Sequence, residues 1–196
     1  MKKIIPADSS LIPDKAKLVF EGVVFSVFQW PQELYDGNSA TFEMLRRADT
    51  VKAICVTDDG ILVLEDEQPN RMSKLVFPGG RVDPTDTSTL EAIRREVQEE
   101  TGYTFNNWRL VSVQQRFGKI EWFIHVYIAW DGQKVSEPHL DAGERIIVRT
   151  LPFNEVRELA IKRVGYLADA VEVFEEVDSV GKMLALPEFV GLEVDR

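Results

Sequence analysis

Three glutamates, Glu96, Glu99 and Glu100, fall at positions i, i+3 and i+4 of one short stretch. On a helix that spacing turns all three carboxylates to one side. Like charges so placed repel by about 0.2–0.5 kcal/mol per pair, and a divalent cation removes the conflict. Hard carboxylate oxygens are the ligands that Mg²⁺, Mn²⁺ or Ca²⁺ prefers, and Mg²⁺ keeps coordination places for water and phosphate oxygens. The plainer reading of the same residues is a solvated acidic helix face. The surrounding sequence separates the two.

The glutamates belong to the stretch Phe77–Tyr103, FPGGRVDPTDTSTLEAIRREVQEETGY. A Gly-Gly loop precedes an amphipathic helix whose apolar stripe, Leu90, Ile93 and Val97, lies about a quarter turn from the glutamates. Gly102 closes the helix where a residue tolerant of positive φ is wanted. This stretch resembles the Nudix box, G-x5-E-x7-R-E-U-x-E-E-x-G-U, with U a bulky apolar residue. Arg95-Glu96-Val97-Gln98-Glu99-Glu100-Thr101-Gly102-Tyr103 matches its second half position by position, and Gly80 supplies the opening glycine. One spacing departs from the pattern. Gly80 to Arg95 is one residue too long, so counting back from Arg95 places Thr87 at the first acidic position, and counting forward from Gly80 places Asp86 there. A bulge in the Asp83-Pro84-Thr85-Asp86 loop would bring Asp86 into that role, and the pattern leaves Asp86 and Thr87 both open.

The resemblance implies an α/β chain with the Nudix fold, a mixed-sheet α/β/α sandwich. It also implies hydrolysis of a pyrophosphate bond with Mg²⁺ (or Mn²⁺) as cofactor. On that reading Glu96, Glu99 and Glu100 hold the metal, and Arg95 holds a box carboxylate in place without touching substrate. A general base comes from a loop before a late strand, where Glu144 stands, with Asp141 as a second candidate. Gly79 and Gly80 let the backbone approach the site without side-chain interference. Arg46, Arg71, Arg81 and Arg116 are candidates to clamp phosphate or ribose, because arginine offers paired donors that match phosphate geometry. Each has a plainer reading as a solvated surface arginine. Trp122, Phe123 and Trp130 can stack on a base, although strand aromatics are more often core. His125 reads as structural, and His139 as a loop residue.

The elements that must position these residues follow from pattern. Residues 1–17 read as an irregular lead-in with Pro6 and Pro13. Lys17–Trp30 reads as one or two strands around Gly22, and Ala40–Arg47 returns as another after a turn at Tyr35-Asp36-Gly37-Asn38. Val51–Thr57 and Ile61–Leu64 form a hairpin across Asp58-Asp59-Gly60, and Lys74–Phe77 delivers the chain to the Gly-Gly loop. Trp108–Phe117, Glu121–Trp130 and Glu144–Thr150 read as strands, Pro152–Ala160 and Gly165–Val177 as helices. The resulting organisation is an N-terminal antiparallel strand extension over residues 1–47, a catalytic domain over 48–180 and a tail over 181–196 whose docking the pattern leaves open. The extension is similar to that of the ADP-ribose pyrophosphatase and nucleoside diphosphate sugar hydrolase branch, which implies a homodimer formed through these strands. That subgroup carries a proline about sixteen residues beyond the box; Gly118 stands there, so ADP-ribose and other nucleoside diphosphate sugars both remain open as substrate.

Composition narrows the partners. At 196 residues and 44% apolar content the chain can bury a sizeable core. A formal charge of −10 argues against nucleic-acid backbones as partners, while metal and a few arginines can still gather a phosphorylated small molecule. No apolar run reaches the length of a membrane span, and MKKIIPADSS lacks the apolar core of a signal peptide. A single cysteine, Cys55, sits in an apolar run and reads as a core residue, so a cytoplasmic location is expected. A binding or regulatory protein on the same fold, with weak or no turnover, is the alternative function.

Overall fold

The computed structural model describes residues 2–69, 72–140, 143 and 145–195. In chain order the elements are β1 (Lys2–Ile5), β2 (Lys17–Glu21), β3 (Ser26–Glu33), β4 (Ser39–Arg46), β5 (Thr50–Thr57), β6 (Gly60–Glu67), β7 (Lys74–Val76) and α1 (Thr89–Thr101). They continue with β8 (Tyr103–Gln114), β9 (Ile120–Glu121), β10 (Ile124–Lys134), β11 (Arg145–Leu151), α2 (Phe153–Ile161), a 3₁₀ turn (Leu167–Ala170), α3 (Val171–Glu176), α4 (Val180–Leu184) and β12 (Leu192–Asp195).

The central sheet runs β11-β6-β5-β10-β8, with β7 added to β6. It is mixed, since β5 and β10 pair in parallel while their other partners are antiparallel. Strand alternation sorts its side chains into two cores. Val51, Ala53 and Cys55 of β5 join Tyr127 and Ala129 of β10 beneath Ala92, Ile93 and Val97 of α1. On the opposite face Ile54, Ile124, Val126 and Ile128 pack against Val156, Ala160 and Phe174 of α2 and α3. This is the α/β/α sandwich expected, with the box helix covering one face.

The helix itself forms where its caps require. The Ser88 side chain accepts a hydrogen bond from the Glu91 amide at its start, and Gly102 ends it with φ 72°. The N-terminal strands form a separate sheet in the order β2-β3-β4-β9, around a small core of Ile12, Trp30 and Met44. It is sewn to the body through β9, which pairs in parallel with β4, and through the Glu121 carboxylate, which accepts from the Ile12 amide at 2.7 Å.

Four parts of the chain depart from the sequence pattern or complete it. Residues 2–5 are not irregular: they form β1, which pairs with β12 at the other end of the chain. A four-residue strand whose partner lies 190 residues away leaves no local signal. The tail is likewise placed, with the Phe189 amide donating to Leu110 O and Arg109 donating to the carbonyls of Leu184 and Leu186. The helix expected over Gly165–Val177 begins only at Leu167, after Gly165 at φ 57°, and divides into a 3₁₀ turn and α3 at Ala170, whose φ of −113° and ψ of 17° leave the helical region. Glu121 is drawn into the other sheet, so β10 starts only at Ile124. No helix among the described residues is long and apolar enough to cross a membrane.

Candidate active site

The segment Phe77–Gly80 is held from two sides. Its Pro78 and Gly80 carbonyls accept from the Ala53 and Val51 amides of β5, both at 2.9 Å, while the Phe77 and Gly79 carbonyls accept from Lys52 Nζ at 3.2 and 2.7 Å. From the helix side, Glu100 Oε2 accepts from the Gly79 amide at 2.7 Å. Gly79 stands at φ 133° and a Cβ there would collide with Val51 O, so only glycine lets the loop lie this close to β5.

Arg95 organises the helix side. Nε and Nη2 donate to the two oxygens of Asp86 at 3.2 and 3.1 Å, Nη1 donates to Glu96 at 3.1 Å and to Glu99 at 3.0 Å, and Nη2 also reaches Arg81 O at 3.2 Å. Every N–H of the guanidinium is thereby used. Asp86 is the residue turned inward, 8% exposed, whereas Thr87 is exposed and bonds to Glu91 at the helix start. The Arg95 guanidinium holds the Asp86 carboxyl below the usual carboxylate range, against its partial burial.

A cleft of about 510 Å³ opens at this point. Its lining includes Gly79, Gly80, Glu96, Glu99 and Glu100, and around them Arg81, Arg95 and Arg116. Of the arginines named from sequence, Arg81 is ion-paired with Asp83 at 3.0 Å and Arg116 with buried Asp169 at 2.7 Å. Arg46 is not in this lining; it pairs with Glu121 at 2.8 Å and faces an adjoining cavity. Arg71, Glu144 and Asp141 lie outside the described residues, so the expected base and one clamp have no geometry here. Trp122 lines the cleft, Phe123 is core, and His125 is fully buried near Asp49, as a structural histidine should be.

The cleft residues missed from sequence include Arg47, Lys52 and Asp169. Arg47 stacks at 4.6 Å over Trp122 and at 5.6 Å over Phe25, and its Nε is buried without a hydrogen-bond partner among the described residues. Desolvation, and secondarily the like charge of Arg81, lower its pKa. Asp169 has its carboxyl pushed up by burial, against the pull of Arg116 and Lys52. Lys52 did carry a signal: it is the one charge in the apolar run Val51–Val56, on the same strand face as buried Ile54.

The box carboxylates have the chemistry for a hard divalent ion, but not the posture. Among the described residues no three His, Cys, Asp or Glu side chains stand around a common metal position. Glu96 and Glu99 are drawn onto Arg95 and Glu100 onto Gly79. Burial nevertheless pushes the Glu96 carboxyl up to about 6 in spite of Arg95, and Glu100 is only 9% exposed. Carboxylate oxygens withdrawn from water in this way suit Mg²⁺ or Mn²⁺, and the residues fit such an ion.

Comparison with known proteins agrees with this arrangement. The NUDIX domain family model matches residues 46–171. A methanol dehydrogenase activator from Bacillus methanolicus is 26% identical over 145 residues, which span 72% of this chain and 78% of that protein. Among solved structures, one described as an ADP compounds hydrolase superposes with a TM-score of 0.59 at 19% identity, covering 78% of this chain and 83% of that one. A NUDIX hydrolase from Nitrosomonas europaea gives 0.52 at 23% identity, covering 72% and 91%. At these identities the two structures speak for the fold, and the family match spans most of the chain, box included. The chain belongs to the Nudix family of pyrophosphohydrolases.

Proposed function

We propose that the protein cleaves the pyrophosphate bond of a nucleoside diphosphate-linked compound, ADP-ribose or a similar nucleotide sugar, to a nucleoside monophosphate and a phosphorylated remainder. The observation that carries this reading is the meeting, in one cleft, of the Glu96, Glu99 and Glu100 carboxylates with the Gly79–Gly80 loop and several cationic side chains. The likeness to an ADP compounds hydrolase supports the substrate class.

Glu96, Glu99 and Glu100 would hold Mg²⁺ or Mn²⁺, which when bound neutralises phosphoryl charge and acidifies a water. Arg95, with all its donors committed, keeps Glu96, Glu99 and Asp86 in register. Arg81, Arg116 and Arg47 bind the diphosphate and what it carries. Glu144, with Asp141 as the second candidate, takes the proton of the attacking water as its oxygen bonds to phosphorus and the bridging P–O bond breaks. The adjoining cavity of about 530 Å³, lined by Val23, Val24, Arg46 and Arg47, gives room for the nucleoside beside the N-terminal sheet.

The N-terminal strands also present apolar side chains to solvent: Leu18, Val19 and Phe20 on β2 are 49%, 51% and 60% exposed. An exposed apolar strand of this kind supports a homodimer in which a second copy covers it. Sedimentation velocity at micromolar concentration reads this directly, and a monomer there refutes it. A cytoplasmic location is consistent with the one buried, free cysteine.

A second reading, a nucleotide-binding regulator with weak turnover, draws on two observations. Arg95 already occupies Glu96 and Glu99, and one relative carries the name of an activator. Incubation with Mg²⁺ or Mn²⁺ and a panel of ADP-ribose, GDP-mannose, UDP-glucose, NADH and nucleoside triphosphates separates the two. Release of a nucleoside monophosphate from one of the diphosphate compounds is expected. Tight binding of one compound with no product from any decides for the regulator.

A further inference from the structure

Lys52 is the second cation built into the Gly-Gly loop, and its position differs in kind from that of Arg95. The lysine comes from the middle of β5, with the fully buried Val51 and Ala53 on either side. Their side chains enter the core under the box helix; Lys52, by strand alternation, takes the other face. Its stem runs along that face and brings Nζ back to the loop, 2.7 Å from Gly79 O and 3.2 Å from Phe77 O. An ammonium has three donors, and among the described residues only these two acceptors meet it. The group lines the cleft, and two carboxylates feel its charge from different elements, Glu96 on the box helix and Asp169 in the 3₁₀ turn.

A neutral donor would suffice to pin two carbonyls. Gly79 is held at its N–H by Glu100 and at its carbonyl by Lys52, so one glycine residue links the carboxylate and the ammonium across the cleft floor. The remaining donor of that ammonium has the cleft as its outlet.

We propose that Lys52 is a phosphate-binding cation of the cleft, one that grips a substrate diphosphate without any metal ion and supplies positive charge that a further divalent ion would otherwise bring. The inference rests on reading the cleft as a diphosphate site. It adds that part of the affinity for the diphosphate is independent of metal, and that Lys52 competes with a divalent ion for the neighbourhood of Glu96.

The test uses the full-length protein and methylenediphosphonate, a diphosphate that cannot be cleaved, titrated calorimetrically in EDTA. Wild type binds, and the affinity falls as salt rises. Lys52→Gln keeps an amide donor for the loop carbonyls but loses the charge; its affinity drops about tenfold to a hundredfold, the range of a charge-assisted hydrogen bond. Lys52→Arg, which keeps the charge, retains most of the affinity. Titration of Mn²⁺ alone, followed by electron paramagnetic resonance, shows tighter binding to the Gln variant than to wild type, because a competing cation has gone.

Equal affinity of wild type and Lys52→Gln for the diphosphonate in EDTA overturns the proposal, as does no binding by wild type. Loss in both variants overturns it too, by reducing Lys52 to a loop pin; thermal melts show whether either variant is folded. Turnover does not enter these titrations. A protein that hydrolyses nucleotide sugars but shows no Lys52 effect sinks this inference alone, and one that hydrolyses nothing yet binds through Lys52 sinks only the enzymatic reading.

Discussion

Two arginines line the same cleft and have opposite fates. Arg95 spends every donor on protein acceptors, two carboxylates of its own helix, the Asp86 carboxylate and a backbone carbonyl. Arg47 sits 4.6 Å over the Trp122 ring with a buried Nε that no atom of the described residues satisfies. A saturated guanidinium can only position its neighbours. An unsatisfied one in a desolvated place is costly until an anion arrives. On the function proposed above, the box side of the cleft would hold the catalytic carboxylates, and the Arg47 side would take the substrate's charge. Substitutions on the two sides should fail in different ways.

The largest effect is expected at the box. Glu100→Gln keeps the volume of the side chain and an oxygen for the Gly79 amide, but removes the charge needed for a divalent ion. Hydrolysis should fall well beyond the about 10–100-fold typical of losing an outer partner of a metal site, with the circular dichroism spectrum unchanged. A fully active variant undoes the assignment of the box glutamates.

On the other side, Arg47→Ala should raise KM for the cleaved nucleotide by about tenfold to a hundredfold, the size of one lost charge-assisted hydrogen bond, while kcat changes less. Its melting temperature should hold or rise, since removing an unsatisfied buried donor relieves a cost. The contrast with Glu100→Gln is the point of the experiment. Were Arg47→Ala to lower kcat and leave KM alone, the two sides of the cleft would not divide the work as argued.

How far the sequence reached depended on whether the signal was local. The box helix was legible because its closing Gly102, its apolar stripe of Leu90, Ile93 and Val97, and its glutamates all lie within one short stretch of chain. The sandwich was legible for the same reason, through strands that alternate and hairpins such as Asp58-Asp59-Gly60. What stayed hidden was decided by partners far along the chain. β1 finds β12 across the whole sequence, and Glu121 leaves its neighbours to serve Ile12 and Arg46. Arg46 and Arg47 differ by one residue; the first is captured by Glu121 and the second reaches the cleft. No periodicity within that strand could say which. Lys52 was visible as a charge in an apolar run, yet only the path of Phe77–Gly80 gives it a purpose.

The smallest effect separates the two residues that competed for the first acidic box position. Asp86 lies inside, bonded to Arg95 and to the Asp83 amide; Thr87 lies outside, bonded to Glu91. Asp86→Asn leaves Arg95 with one unmatched, weaker partner and should cost about 1 kcal/mol of stability, whereas Thr87→Ala should stay within about 0.5 kcal/mol. The Asp86 carboxyl, held low chiefly by Arg95, has a depressed folded-state pKa. Its contribution is therefore complete above the unfolded value of about 3.9 and is lost as pH falls through the folded value. The gap between wild type and Asp86→Asn in thermal melts should be open at neutral pH and close in acid, while the Thr87→Ala gap stays small at both. A Thr87→Ala penalty equal to that of Asp86→Asn would mean that the bulge in the Asp83–Asp86 loop does not carry the box's opening carboxylate to Arg95 in solution.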